Sequence, residues 1–448
     1  MKRPLERSES GEITVKEAPM TTVDEAKRLI LERTGTLAAR NWVLFQSLGL
    51  VLADPIVADR DSPPFEKALV DGYAIRSSDY LGADQAWRVG ERIVAGAEPS
   101  LPLEAGTTAL VMTGAPVPQG CDCVIMREQS RIIDSSLHRD RSSELVCFDL
   151  AEIPRPGRNL ARRGSEFHAG DLLIEAGVRL DPVVSSIAAT VGCDYPRIVP
   201  RPSVSIVPTG NELFPPRVNP GRLGIRESNG TLLSGFCLRE GFDASVQPIS
   251  RDEPKDLCES FEYALARADV VLICGGVSAG DLDLVPETLE KIGVERVFHK
   301  VSIKPGKPIW FGTKRRAKPQ RDTAVAHAEA GPDRLVFGLP GNPVSGLVCF
   351  LEFVLPALRK LAGRPDKAEP KLRLPLLTRF DQRGDRTSYH PARLVRERPD
   401  DHPNIRTLAW KGSADMLSVA QAEGFAIFPP GDRIYQEGDR VDFLPIHT

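Results

Sequence analysis

Between residues 203 and 361 the chain alternates short unbroken apolar runs with longer stretches whose apolar residues recur at helical spacing. The runs at 204–207, 244–249, 268–274, 294–301, 309–312 and 335–338 read as strands. The stretches at 228–240, 254–267, 284–291 and from 343 onward read as helices. A run that is apolar at every position belongs to a strand buried on both faces. The rhythm therefore predicts right-handed βαβ units and a mostly parallel, doubly wound sheet.

Other patterns flank this region. Thr22 and Glu25 form a capping box for a helix over 22–34, and residues 40–52 continue it as a small helical or mixed element. From 60 to 165 short apolar runs are broken by Gly and Pro, the texture of a β-rich domain. Asp181, Pro182 and Gly192 fit N-cap, N1 and C′ of a further helix. Pro196, Pro200 and Pro202 mark a boundary near 200. After Pro370 short β runs return at 371–377, 389–395, 406–408, 424–428 and 440–444, as in a small barrel or sandwich.

The candidate chemistry follows the strands. The run 268–274 enters Gly275-Gly276-Val277-Ser278-Ala279-Gly280-Asp281-Leu282-Asp283. Glycine lets a backbone take positive φ and approach a ligand, and successive N–H groups in such a turn can cradle an anion. Two acids beside an anion site imply a cation between them, most simply Mg²⁺. Thr209-Gly210-Asn211-Glu212 and Gly338-Leu339-Pro340-Gly341-Asn342-Pro343-Val344-Ser345 also follow strands. Ligands of open α/β sheets bind at the carboxyl ends of strands, so the three turns are expected on one rim. Lys304 and Lys307 sit in a stiff Lys-Pro-Gly-Lys-Pro segment suited to an anion. Arg158, Arg162 and Arg163 precede Glu166, which reads either as a solvated loop or as a phosphate contact beside a metal-facing acid. Arg393 and the 413–418 segment are the polar candidates of the C-terminal part.

Composition narrows the class. At 448 residues, 41% hydrophobic, 27% charged and net charge −3, this is an ordinary globular chain of several domains and not a general nucleic-acid binder. No apolar run approaches the roughly 18 residues of a membrane span, and no apolar segment follows Lys2 and Arg3 as a secretory leader requires. The eight cysteines are scattered without paired C-x-x-C motifs, so zinc is not expected and a cytoplasmic, reducing setting is.

The ordered set Val70-Asp71-Gly72-Tyr73-Ala74, Thr113-Gly114-Ala115-Pro116-Val117-Pro118, Gly275-Gly276-Val277-Ser278, Lys304-Pro305-Gly306-Lys307-Pro308 and Leu339-Pro340-Gly341-Asn342-Pro343-Val344-Ser345 resembles the molybdopterin molybdenumtransferase family, which includes the E domain of gephyrin. The likeness runs from about residue 20 to the end. It implies a multidomain α/β plus β protein. A disordered tail spans 1–19. Residues 20–59 with 164–200 make an elongated mixed domain for dimerisation, and 60–163 form an inserted β-rich domain. A doubly wound α/β domain covers 201–369 and a barrel-like β domain 370–448. The resemblance implies a homodimer whose cleft draws on the partner subunit. It further implies insertion of molybdenum from molybdate into adenylylated molybdopterin with release of AMP, Mg²⁺ as the metal, and a partner adenylyltransferase that supplies the pterin.

Carried over by position, the functional acids are Asp71, Glu212 and Asp283, with Lys304 and Lys307 as the catalytic lysines. Thr113, Gly275, Gly276, Ser278, Pro340, Gly341, Asn342, Ser345 and Arg393 bind substrate. Asp71, Glu166 and Asp283 face the metal, Glu166 standing where the family has Asp. The competing readings are a non-enzymatic scaffold of the same fold, another phosphate-handling enzyme, and a paralogue that takes tungstate or another pterin form.

Overall fold

The computed structural model describes residues 20–100, 102–134, 144–277, 284–316, 331–364, 372–396, 398 and 402–446. The 1–19 tail, Ser278, Asp281 and Asp283, and most of the 314–333 insertion lie outside the described residues. The chain divides into two compact units. One comprises Met1–Trp42, Ser47–Ala53 and Arg197–Thr448; the other comprises Val43–Gln46 and Asp54–Pro196. The break at 196 falls at the first of the linker prolines.

The first unit is built on a six-stranded sheet in the order Asp243–Val246, Ser203–Pro208, Val270–Cys274, Arg334–Leu339, Trp310–Lys314, Glu295–His299. Successive residues of Val270–Cys274 point to opposite faces. Val270 and Leu272 join a core with Leu233, Phe236 and Phe350; Val271 and Ile273 join another with Leu257, Phe261 and Leu265. Each fully buried side chain such as Phe261 contributes about 1.5–3 kcal/mol of transfer free energy. Helices Asn229–Arg239 and Pro254–Arg267 lie on opposite sides of this sheet, as their separate cores require. The sheet is doubly wound as expected, but parallel pairing joins only its first four strands. Trp310–Lys314 is antiparallel to both neighbours. The link from His299 to Trp310 contains no helix and is too short for a parallel crossover. Within that link, Ile303–Lys304 leaves to pair with Thr387–Val395 of the C-terminal sheet.

The helix Val23–Arg33 starts where the capping box places it, Thr22 Oγ1 accepting from the Glu25 amide at 3.2 Å. The sequence reading expects residues 20–59 to group with 164–200. This helix instead buries Val23, Ala26 and Ile30 in the α/β core, against which its apolar stripe closes. Lys360 Nζ donates to the Leu31 carbonyl at 2.7 Å. The long helix from Pro343 runs through a π-turn at Phe350–Val354 and on to Leu361.

The C-terminal sheet orders Ile303–Lys304, Thr387–Val395, Gly424–Phe428, Arg440–Pro445 and Leu372–Pro375, with Asn404–Thr407 paired to Thr387–Val395. Leu374, Ile405, Phe428, Val441 and Phe443 fill its core. The second unit holds a six-stranded sheet in the order Cys123–Met126, Gly72–Ile75, Thr107–Val111, Trp87–Ile93, Leu145–Phe148, Ser130–Asp134, with a separate core on each face. Its helix Pro182–Thr190 is capped by Asp181, as read from sequence. Among the described residues no helix is long and apolar enough to cross a membrane.

Candidate functional site

Three strand ends of the first unit are tied together by backbone. The Thr209 amide donates to the Cys274 carbonyl at 3.0 Å, and the Gly275 amide to the Leu339 carbonyl at 3.0 Å. The convergence expected of the three turns is therefore present. Gly275 has φ +110°, and a Cβ there would stand 2.6 Å from the Thr209 carbonyl oxygen. Only glycine brings these chains so close.

Around this junction opens a cavity of about 570 Å³, lined by Thr209, Gly210, Glu212, Glu227, Asn229, Asp252, Gly275, Gly276 and the Pro340-Gly341-Asn342 turn. It is acidic on one side. Glu227 is buried, and its Oε1 accepts from the Gly230 amide at 2.6 Å at the start of the Asn229–Arg239 helix. Burial first, and then the Glu227 charge, push the Cys274 thiol well up, so Cys274 stays a neutral core residue. Asn229 Nδ2 donates to the Gly341 carbonyl at 2.8 Å, whereas its Oδ1 is shielded from solvent without a hydrogen-bond partner. Among the described residues no three His, Cys, Asp or Glu side chains close on one point to hold a metal.

A second cavity of about 500 Å³ adjoins the first, sharing Pro308, Pro340 and Asn342. Lys304, Lys307, Arg386 and Lys411 line it, with Ser345, Ser413 and Trp410. Among the described residues none of these four cations has a carboxylate within ion-pair distance. Uncompensated cations converging on one hollow make a site for an anion. Asn342 Nδ2 donates to Ser413 Oγ at 3.0 Å, and the Val344 amide to the Ser413 carbonyl at 3.1 Å. Ser413 thus joins the helix that begins at Pro343 to the C-terminal β structure.

The remaining predicted site residues fall elsewhere. Asp71 and Thr113 are in the second unit, where Asp71 Oδ1 accepts from the Thr113 amide and hydroxyl, both at 2.7 Å. The amide bond first, then the hydroxyl, hold the exposed Asp71 carboxyl below its ordinary range. Gly72 is obligatory beside it, because a Cβ would overlap the Ile125 carbonyl oxygen. Glu166 is also exposed in this unit; its Oε2 accepts from Ser62 Oγ at 2.6 Å, and Lys67 Nζ stands 4.0 Å from Oε1. Asp71 keeps Oδ2 outside these contacts, whereas each Glu166 oxygen faces a partner; carboxylate oxygens suit a hard cation such as Mg²⁺.

Two of the neighbouring arginines have partners within this unit. Arg163 Nε binds Asp61 Oδ2 at 2.6 Å, and Arg158 Nη2 binds Gln129 Oε1 at 2.8 Å. Arg393 lies exposed with its guanidinium on the Gln421 carbonyl and lines neither cavity. Sequence reasoning missed Glu227, Asn229, Asp252, Arg386, Trp410 and Lys411. The run Arg226-Glu227-Ser228-Asn229-Gly230 after a strand-like Ile225 was the available signal for the first two.

Comparison with known proteins gives one consistent family. Residues 21–192 match the MoeA N-terminal region (domain I and II), 205–360 a probable molybdopterin binding domain, and 373–446 the MoeA C-terminal region (domain IV). The chain is 29% identical to a molybdopterin molybdenumtransferase of Staphylococcus epidermidis, over 96% of this chain and 97% of that one. It is 28% identical to one of Nostoc sp., over 96% of this chain and 94% of the relative. The structure of the molybdopterin biosynthesis MoeA protein of Pyrococcus horikoshii superposes with TM-score 0.77 at 26% identity, covering 96% of this chain and all of that one.

Proposed function

The chain belongs to the molybdopterin molybdenumtransferase family and is a transferase of molybdenum cofactor biosynthesis, and from that premise we propose that it inserts molybdenum from molybdate into adenylylated molybdopterin, releasing AMP. The observation that carries this reading is the pair of adjoining cavities, one ringed by four cations that lack a carboxylate partner among the described residues and the other by acids and glycine turns. Molybdate is a tetrahedral dianion. Lys304, Lys307, Arg386 and Lys411 supply its countercharge, with Ser345 and Ser413 as hydroxyl donors. A cavity of about 570 Å³ is of the size that holds cofactor-like ligands, and the pterin is assigned there. Glu212, Glu227 and Asn229 orient it, and Gly275 and Gly276 let the backbone approach.

Breaking the phosphoanhydride is mainly positioning and charge neutralisation, so no covalent protein nucleophile is required. Mg²⁺ when bound would neutralise phosphate charge; Asp71, with a carboxylate oxygen outside its Thr113 contacts, is a candidate ligand, and Glu166 and Asp283 are the further candidates. We take the working form to be a cytoplasmic homodimer fed by a separate adenylyltransferase. The test is AMP release from adenylylated molybdopterin in the presence of Mg²⁺. Release that depends on molybdate supports the proposal; retained pterin with no AMP release under either condition overturns it and favours a scaffold.

A further inference from the structure

We propose that a buried Lys27–Glu352–Tyr389 cluster is the positioning lock of the Lys304–Lys307 loop, an inference that rests on the reading of the cationic cavity as an oxyanion site. The loop is clamped by three elements distant in sequence. Ahead of the first helix, Thr21 bridges to Val301 and its carbonyl accepts from the Ser302 amide at 2.8 Å. The strand Thr387–Val395 pairs Thr387 with Ile303 and Ser388 with Lys304. The helix from Pro343 meets Gly306, whose φ is +120° and where a Cβ would stand 2.7 Å from Cys349 Sγ.

The same three elements each contribute one member of the cluster. Lys27 comes from the helix Val23–Arg33, Glu352 from the π-turn, and Tyr389 from the strand, one residue beyond the partner of Lys304. The Glu352 side chain is fully buried and pairs with Lys27 Nζ. Tyr389 is fully buried against it; burial, then the Glu352 charge, push its phenol far above the ordinary range. The Tyr389 phenol and the Glu352 carboxylate interact directly, although no hydrogen bond between them meets strict geometry. A buried ion pair is a poor source of net stability but a strong selector of one arrangement. π-turns recur at functional sites, and this one turns a carboxylate inward onto side chains of the other two clamping elements. Among the described residues no hydrogen bond or ion pair joins Lys304 or Lys307 to the cluster, so its members act through backbone position and are positioning residues.

The test compares wild type, Glu352→Gln and Tyr389→Phe by amide hydrogen exchange and by calorimetric titration with molybdate alone. Both variants are expected to exchange the 301–309 amides about tenfold faster while Val270–Cys274 stays protected. Molybdate Kd is expected to rise about tenfold, with pterin affinity unchanged. Tyr389→Phe removes one hydroxyl and keeps the ring, so it reads the lock even if Glu352→Gln does not fold. Wild-type exchange at 301–309 in either folded variant overturns the proposal, as does a fall in Tm with no change in exchange or Kd. If wild type binds no molybdate but the variants still exchange faster, the lock stands and the oxyanion reading of the cavity falls.

Discussion

Glu227 carries a carboxylate into the first cavity at 8% exposure, held by a backbone amide and not by a cation. A glutamine there keeps the acceptor for Gly230 and removes only the charge. Glu227→Gln is expected to lower AMP release about 100-fold with little change in Tm, the scale of losing a positioned carboxylate. Turnover equal to wild type would remove Glu227 from the site. At Asp71 the Thr113 bonds favour the ionised form. Its contribution is therefore fully present above the ordinary value of 3.8 and is lost only as pH falls through a still lower value. Asp71→Asn retains an Oδ1 acceptor for Thr113 but not the charge. The Mg²⁺ concentration for half-maximal rate is expected to rise about 10–100-fold, read from a Mg²⁺ titration of activity; an unmoved titration excludes Asp71 as a metal group. Lys304 and Lys307 were legible as cavity residues because both lie inside a short motif. Arg386, Trp410 and Lys411 were not, because they reach the cationic cavity from segments about 80 to 100 residues beyond the lysine loop. The partner of Arg163 was hidden for the same reason: Asp61 lies 102 residues upstream.

At the scale of elements, the helix Pro254–Arg267 and the strand Val270–Cys274 fall where periodicity and the unbroken apolar run place them. Both are local patterns with strong burial. The antiparallel strand Trp310–Lys314 and the departure of Ile303–Lys304 into the C-terminal sheet were not legible, since pairing direction depends on connections and not on composition. That departure is what presents Lys304 and Lys307 to the cavity. The glycine turns set how near the strand ends come. Gly275→Ala would drive a Cβ against the Thr209 carbonyl at positive φ, and is expected to cost about 1–3 kcal/mol. Chemical denaturation should show the loss, with AMP release falling more than stability alone explains. A variant as stable and active as wild type would mean the turn is not tightly built.

For the whole molecule, three family regions occur in order and relatives are matched along nearly their full length, the molybdenumtransferase pattern. The pattern was visible in sequence as the order of its motifs. What sequence did not show is how the chemistry is divided between two neighbouring hollows of opposite character, because that division arises from Ser413, Arg386 and the helix at Pro343 coming together only in three dimensions. The most direct test is the rate of AMP release as a function of molybdate concentration in wild type and Lys304→Ala. The expected result is a half-saturating molybdate concentration raised about tenfold or more, with the KM for adenylylated pterin unchanged, the loss of one charge-assisted contact being worth about 1.5–3 kcal/mol. Superimposable molybdate curves would contradict the assignment of the cationic cavity to molybdate.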